Sequence, residues 1–187
     1  MVRGKENEPL EIVGYMADIT QRKQDEERIR HMAMYDPLTE LPNRRLFFDR
    51  LHQILVYSRR NKTLAALLYV DLDAFKQIND VYGHQAGDET LLEVVSRIRS
   101  NLRKSDTVAR LGGDEFGVVL TLTPASQAEA KAGELAAAIA EKPVVHEGTE
   151  LPLKAAWGVH ALSRGISVET AMAEADAAMY ARKAAGV

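Results

Sequence analysis

The strongest constraint in this chain is the run Leu64-Ala-Ala-Leu-Leu-Tyr-Val70, which ends abruptly at Asp71. A strand half open to water alternates polar and apolar residues; this one does not, so both of its faces must be covered. Leu64–Asp71 is therefore predicted to be a central strand with helices above and below. The flanking sequence supplies them. Arg44 to Arg60 carries Leu46, Phe47, Leu51, Ile54 and Leu55 at a helical period. Phe75 to Tyr82 and Asp88 to Leu102 also read as helices, the latter with Leu91, Leu92, Val95, Ile98 and Leu102 on one face. Thr107–Leu111 and Phe116–Leu122 are short strands around Gly112-Gly113, a strong hairpin signal. Gln127 to Glu141 is an alanine-rich helix with Ser126 as its cap, Leu151–Leu162 is a strand region, and Val168–Ala185 is a last helix. This order predicts an α+β fold, an α/β sandwich whose central, mostly antiparallel sheet is covered by helices.

Composition narrows the chemistry. The 187 residues suit one globular domain with something left over. There are no cysteines, which removes disulfides, zinc–thiolate sites and cysteine nucleophiles and fits a reducing compartment. A net charge of −3 gives no reason to expect a nucleic-acid polymer as partner. No run reaches the ~20 apolar residues of a membrane span, and the Met-Val-Arg-Gly-Lys-Glu start lacks a signal-peptide core. A soluble, cytoplasmic segment without membrane contact is expected.

The first 35 residues form a separate regime. Leu10 to Ala17 reads as a strand, and Asp18 then caps a helix with Gln21 in the capping-box position. Ile19, Ile29 and Met32 give that helix only a thin apolar stripe, the pattern of a solvated helix. A lone strand cannot fold by itself, so residues 1–18 are expected to be the end of a domain that lies upstream.

Three short elements carry chemistry. Asp71-Leu-Asp73 follows the apolar strand directly, and a carboxylate there can hold a hard cation or simply face solvent. In Arg110-Leu-Gly-Gly-Asp-Glu-Phe116 the glycines permit a tight turn, after which Asp114 and Glu115 can face the end of the neighbouring strand. Asp71 and Asp114 could then share a cation pair, as in two-metal phosphoryl transfer. In Gly83-His-Gln-Ala-Gly-Asp88, Asp88 either caps a helix or accepts both N–H groups of a guanine edge, with the Asn79 amide donating to the ring's acceptor side.

Taken together and in this order, Asp71-Leu-Asp-Ala-Phe-Lys-Gln-Ile-Asn-Asp-Val-Tyr-Gly-His-Gln-Ala-Gly-Asp88 and Arg110-Leu-Gly-Gly-Asp-Glu-Phe116 closely resemble the GGDEF family of diguanylate cyclases. The loop Asp36-Pro-Leu-Thr-Glu-Leu-Pro-Asn-Arg-Arg45 matches that family's opening motif, and Glu174-Ala-Asp-Ala-Ala-Met-Tyr-Ala-Arg-Lys-Ala-Ala-Gly186 its closing helix. Ile12-Val-Gly-Tyr-Met-Ala-Asp-Ile-Thr-Gln-Arg-Lys23 resembles the last strand of a PAS sensor and the signalling helix that leaves it. The resemblance implies residual PAS strand over 1–18, linker helix over 19–35 and GGDEF domain over 36–187. The implied fold is the nucleotidyl-cyclase or polymerase-palm sandwich.

The implied reaction joins two GTP into cyclic di-GMP with release of two pyrophosphates, at the interface of a homodimer. Asp71, Asp114 and the Leu72 carbonyl match the positions that hold Mg²⁺ or Mn²⁺, and Glu115 matches the acid that helps deprotonate the attacking hydroxyl or holds metal; the resemblance leaves open which of Asp114 and Glu115 is the base. Lys76 and Lys183 match lysines that face the phosphates; Asn79, His84 and Asp88 match the nucleotide-binding positions. Arg103 and Asp106 match a product-inhibition site, where an arginine clamps phosphate or stacks on guanine. Three departures stand out: the sequence stops at Gly186-Val187 where the family continues Gly-Arg-Asn, so the expected arginine is either truncated or substituted, and Arg182-Lys183 and Ala156-Trp157-Gly158 stand for its Ala-Lys and Ser-x-Gly. They leave a second reading, a weak or inactive domain that binds GTP or cyclic di-GMP as a regulatory module in a larger sensor protein, one arrangement being ahead of a phosphodiesterase. A purely structural dimerisation piece is a third, disfavoured because clustered acids repel one another.

Overall fold

A computed structural model describes residues 18–61, 63–163 and 165–185. The Leu10–Ala17 strand expectation lies outside the described residues. The chain divides into two units, Met1–Ala33 and Met34–Val187. In the first, helix α1 (Thr20–Met34) buries no residue. Asp18 caps it by accepting the Thr20 N–H at 2.9 Å. Gln21 does not complete a capping box; its amide reaches forward to Asp25 at 3.3 Å, one turn along the exposed helix. Ile29 and Met32 stand open to solvent, as a thin stripe requires.

The second unit is built on a four-stranded antiparallel sheet in the order β2 (Thr107–Gly112), β3 (Glu115–Thr121), β1 (Ala65–Leu72), β6 (Ala155–Ala161). The central place expected for the apolar run is the one it takes: every residue from Ala65 to Val70 is buried. Side chains alternate between two cores. Ala66, Leu68, Val70, Phe116 and Val118 pack with α3 (Phe75–Ser100) and α4 (Ala125–Ala140). Leu67, Tyr69, Val119 and Ala156 pack with α2 (Arg44–Asn61) and α5 (Val168–Ala184). This is a helix–sheet–helix sandwich.

Three details differ from the expectation. The two helices anticipated over 75–82 and 88–102 are the two arms of α3, parted at Gly83, whose φ of 85° and ψ of 168° only glycine adopts easily, but the second arm begins directly after that glycine rather than at Asp88. Helix α4 starts at Ala125 after an extended Pro124, so Ser126 lies inside it and caps nothing. The Leu151–Leu162 region is split. Its first residue closes a small hairpin of β4 (Val144–His146) and β5 (Thr149–Leu151), turning at Glu147-Gly148, and β6 follows separately. The last helix is capped by Ser167, whose hydroxyl accepts the Thr170 N–H.

Candidate active site

The carboxylates gather where β1 leaves the sheet. Asp71 is the register partner of Glu115, and the Leu72 N–H donates to the Asp114 carbonyl at 3.2 Å. The hairpin turn Gly112-Gly113, both at positive φ, folds the two acids back over this strand end. Asp71 keeps only 14% of its side chain exposed. Burial raises the Asp114 carboxyl above the ordinary aspartate range, and the nearby Asp71 charge raises it further.

Lys183 answers this negative charge from 112 residues away in sequence. Its ammonium lies on the Asp71 carboxylate in a very short contact and stands 3.6 Å from Asp73. The hydrogen bond it donates to Asp71 is the main reason its pKa is raised. Helix α5 brings the lysine here because it lies directly on β6 at Gly158, where a Cβ would overlap the Ala175 carbonyl and the Met179 nitrogen. Only a glycine allows that approach.

The Gly83 break does equivalent work on the other side. It turns the two arms of α3 toward each other, so that the Asn79 amide lies against Gly87, next to Asp88. Asn79 is thus held against the residue that precedes Asp88, the second anticipated guanine-reading position. Lys76, in the first turn of α3, and His84, at the break, are exposed. Ala74 precedes α3 at φ 57°, and the Asp73 N–H donates to the Lys154 carbonyl at 2.9 Å, which sets the bend after β1.

Arg103 and Asp106 lie elsewhere. One Asp106 oxygen accepts the Arg103 N–H at 3.0 Å and the other the Thr121 N–H at 3.2 Å. Thr121 pairs with Ala65 at the start of β1, whereas Asp71 is near its end. Six strand steps separate the two places, about 20 Å at ~3.3 Å per residue. Asp106 thus has a structural task in its turn, and Arg103 beside it is exposed.

Several contributing residues escaped the sequence reading. Arg110 donates from Nη1 to both Asp36 oxygens at 3.1 and 3.2 Å, and from Nε to the Gly113 carbonyl at 2.9 Å. It pins the loop before α2 to the glycine turn. Tyr69 lies two residues before Asp71 on the same strand face and faces the Glu115 charge; burial, then that charge, push its pKa up. The period of two along β1, with Asp71 opposite Glu115, was the available signal. Nothing in the local sequence pointed from Asp36 to Arg110, 74 positions apart.

The donor set suits a hard cation. Two half-buried carboxylates and a main-chain carbonyl offer oxygen only, and each carboxylate raises the other's demand for positive charge. Among the described residues no group of three or more His, Asp or Glu forms a cage.

The sandwich with its acid-bearing hairpin defines a family. Residues 33–187 match the diguanylate cyclase GGDEF domain, and the chain belongs to that family. It is 41% identical over 156 residues, 83% of its length, to the bifunctional diguanylate cyclase/cyclic di-GMP phosphodiesterase MucR of Pseudomonas aeruginosa. It is 38% identical over 165 residues, 87% of its length, to the diguanylate cyclase TpbB of the same species. It is also 40% identical over 159 residues, 84% of its length, to the cyclic di-GMP phosphodiesterase NbdA, again of that species. The chain spans only 23%, 38% and 20% of these three relatives. In fold it resembles the coiled coil and GGDEF domain of DgcB from Caulobacter crescentus, solved in complex with c-di-GMP. The TM-score there is 0.83 at 28% identity, over 90% of each chain. Among the described residues no helix is long and apolar enough to cross a membrane.

Proposed function

We propose that this chain is a diguanylate cyclase domain that condenses two GTP into cyclic di-GMP. The observation that carries the reading is the convergence of Asp71, Asp114, Glu115 and Lys183 at one end of the sheet. Asp71, Asp114 and the Leu72 carbonyl would hold Mg²⁺ or Mn²⁺, which when bound neutralises phosphate charge. Glu115, faced by Tyr69, faces the attacking 3′-hydroxyl and takes its proton. The hydroxyl oxygen bonds to the α-phosphorus of the partner's GTP as the bond to the β-phosphate oxygen breaks, and pyrophosphate leaves. A second such step closes the ring. Lys183 and Lys76 stabilise charge on the phosphates. Asn79 and Asp88 read the guanine edge, and His84 flanks it.

Each chain binds one GTP, so two must meet face to face. Rate per protein therefore rises with concentration. Residues 19–35 would set that approach as a signalling linker, with residues 1–18 the end of a PAS sensor and 36–187 the catalytic domain. Arg103, about 20 Å from the acids, would take the product as a feedback inhibitor without entering the active site. The whole scheme belongs to the cytoplasm, where GTP is made. Incubation with GTP and Mg²⁺, with chromatographic detection, tests it. Wild type is expected to form cyclic di-GMP and Asp114→Ala none; a pure dimer that forms none at any concentration overturns the reading.

One observation favours a second reading. A relative 40% identical to this chain carries the name of a phosphodiesterase alone. The domain would then bind GTP or cyclic di-GMP and regulate a neighbour. Calorimetric binding with zero product supports this reading over the first.

A further inference from the structure

Two of the positions at which this chain departs from its family's pattern meet in the fold. Arg182 on α5 lays its guanidinium over the Trp157 ring on β6, 3.3 Å from the centroid. The same group donates from Nη1 to the Trp157 carbonyl at 3.0 Å and from Nη2 to Glu129 of α4 at 3.4 Å. A planar, always-charged guanidinium is the one side chain that can stack on an indole and fork hydrogen bonds to two acceptors together.

The setting gives this contact its meaning. Strand β6 is the edge of the sheet. The next residue, Gly158, faces α5, whereas the Trp157 ring packs on the α4 side, 3.9 Å from where a Cβ on Gly133 would be. Arg182 thus reaches around the sheet edge from the α5 face to the α4 face and occupies an edge carbonyl on its way. It does so two residues before α5 ends at Ala184. Last turns have carbonyls without helical partners and fray first. Lys183, the residue that reaches Asp71 and Asp73, sits in that turn.

We propose that Trp157, Arg182 and Glu129 form a latch that holds the last turn of α5 in place and thereby positions Lys183 at the acidic cluster. Arg182 is a positioning residue: it acts through Lys183. The functional part of this inference rests on the cyclase reading above, in which Lys183 faces the phosphates.

The test has two arms on the whole chain. In the first, the side-chain ammonium resonances of ¹⁵N-lysine-labelled protein are recorded in cold, mildly acidic buffer, and Lys183 is assigned by its disappearance in Lys183→Ala. The paired ammonium is expected to be visible in wild type and in Trp157→Phe, which keeps a ring for stacking. It is expected to broaden away in Arg182→Ala and Trp157→Ala. In the second arm, kcat/KM for GTP is measured around the cycle of Arg182→Ala, Lys183→Ala and the double variant. Arg182→Ala should lose about tenfold, in the range typical of groups that orient a site from outside it. The double variant should then be no worse than Lys183→Ala alone.

An unchanged Lys183 resonance in Arg182→Ala, or losses that multiply in the double variant, overturns the latch. If Arg182→Ala does not fold, Arg182→Gln takes its place under the same criteria. A wild type without cyclase activity counts against the cyclase reading only, and the resonance arm alone then decides the latch.

Discussion

Replacing Gly87 with alanine should weaken nucleotide recognition while leaving the fold intact. Gly87 lies in the second arm of α3 at an ordinary helical φ, so the backbone accepts an alanine. The three heavy atoms nearest its added Cβ all belong to the Asn79 side chain: it would overlap Oδ1, stand 2.9 Å from Cγ and 3.3 Å from Nδ2. A side-chain amide can rotate away, so the clash is relieved by moving Asn79. Alanine in place of glycine inside a helix contributes up to about 1 kcal/mol, and a strained Asn79 rotamer returns about 0.5–1.5 kcal/mol. These offset one another, leaving stability within about 1 kcal/mol and Tm within about 4 °C of wild type. Recognition has no such compensation. If the Asn79 amide donates to guanine, its loss removes one neutral hydrogen bond, about 0.5–1.5 kcal/mol, a roughly 2- to 13-fold weaker Kd. Calorimetric titration with a non-hydrolysable GTP analogue and Mg²⁺, beside a thermal scan, measures both quantities. Asn79→Ala should show the same loss, and the double variant no more. Unchanged affinity in Gly87→Ala would refute the placement of Asn79 at the guanine. A large fall in Tm would refute the claim that the contact with Gly87 is relieved by a side-chain rotation.

Other substitutions probe the remaining supports. Gly158→Ala puts a methyl group into α5 backbone atoms that cannot rotate away; an overpacking cost near 3 kcal/mol should lower Tm by about 6–12 °C, and a fall under about 2 °C would mean α5 is free to shift. Asp36 is pulled both ways: burial raises its carboxyl, but two hydrogen bonds from Thr39 and the Arg110 charge outweigh burial and leave it below the usual range. A carboxyl depressed on folding contributes stability above its unfolded pKa and loses it as pH falls through the folded value. The gap between wild type and Asp36→Asn, about 1.5–3 kcal/mol near neutrality, should therefore close in urea melts taken below the ordinary aspartate range; a gap independent of pH counts against the ion pair. Tyr69→Phe removes the hydroxyl that faces the Glu115 charge and should reduce kcat at saturating GTP by about tenfold, the equivalent of one charge-assisted hydrogen bond. An unchanged kcat would show that Glu115 is oriented by other means.

The sheet was legible because its cause is local. An unbroken apolar run has one comfortable place, the middle of a covered sheet, and β1 takes it between β3 and β6. The Gly112-Gly113 hairpin was legible for a similar reason, since two consecutive positive φ values leave few alternatives to glycine. The β4–β5 hairpin was missed: three-residue strands are too short for any period to register, and they are stabilised from outside, where buried His146 meets Glu89 of α3 at 2.8 Å. Gly83 interrupts the helical pattern, so the sequence predicts two helices with an unassigned stretch between them. Backbone geometry shows a sharp elbow there, and the elbow is what brings Asn79 against Gly87, the residue before Asp88.

The candidate site divides along the same line. Its acids were visible as a motif because hairpin and strand end each carry their own signal. What orients them was invisible, because each support joins distant segments: Arg110 to Asp36, Lys183 to Asp71, Arg182 to Trp157. The last pair carries the most instructive lesson. Read singly along the chain, an arginine before Lys183 and a tryptophan in a strand that favours small residues look like two separate defects. In the fold each explains the other. Trp157 provides the ring and the carbonyl, Arg182 fills both, and the edge of the sheet is closed where α5 ends. Deviations that compensate one another in space do not count against the active arrangement as two independent losses would.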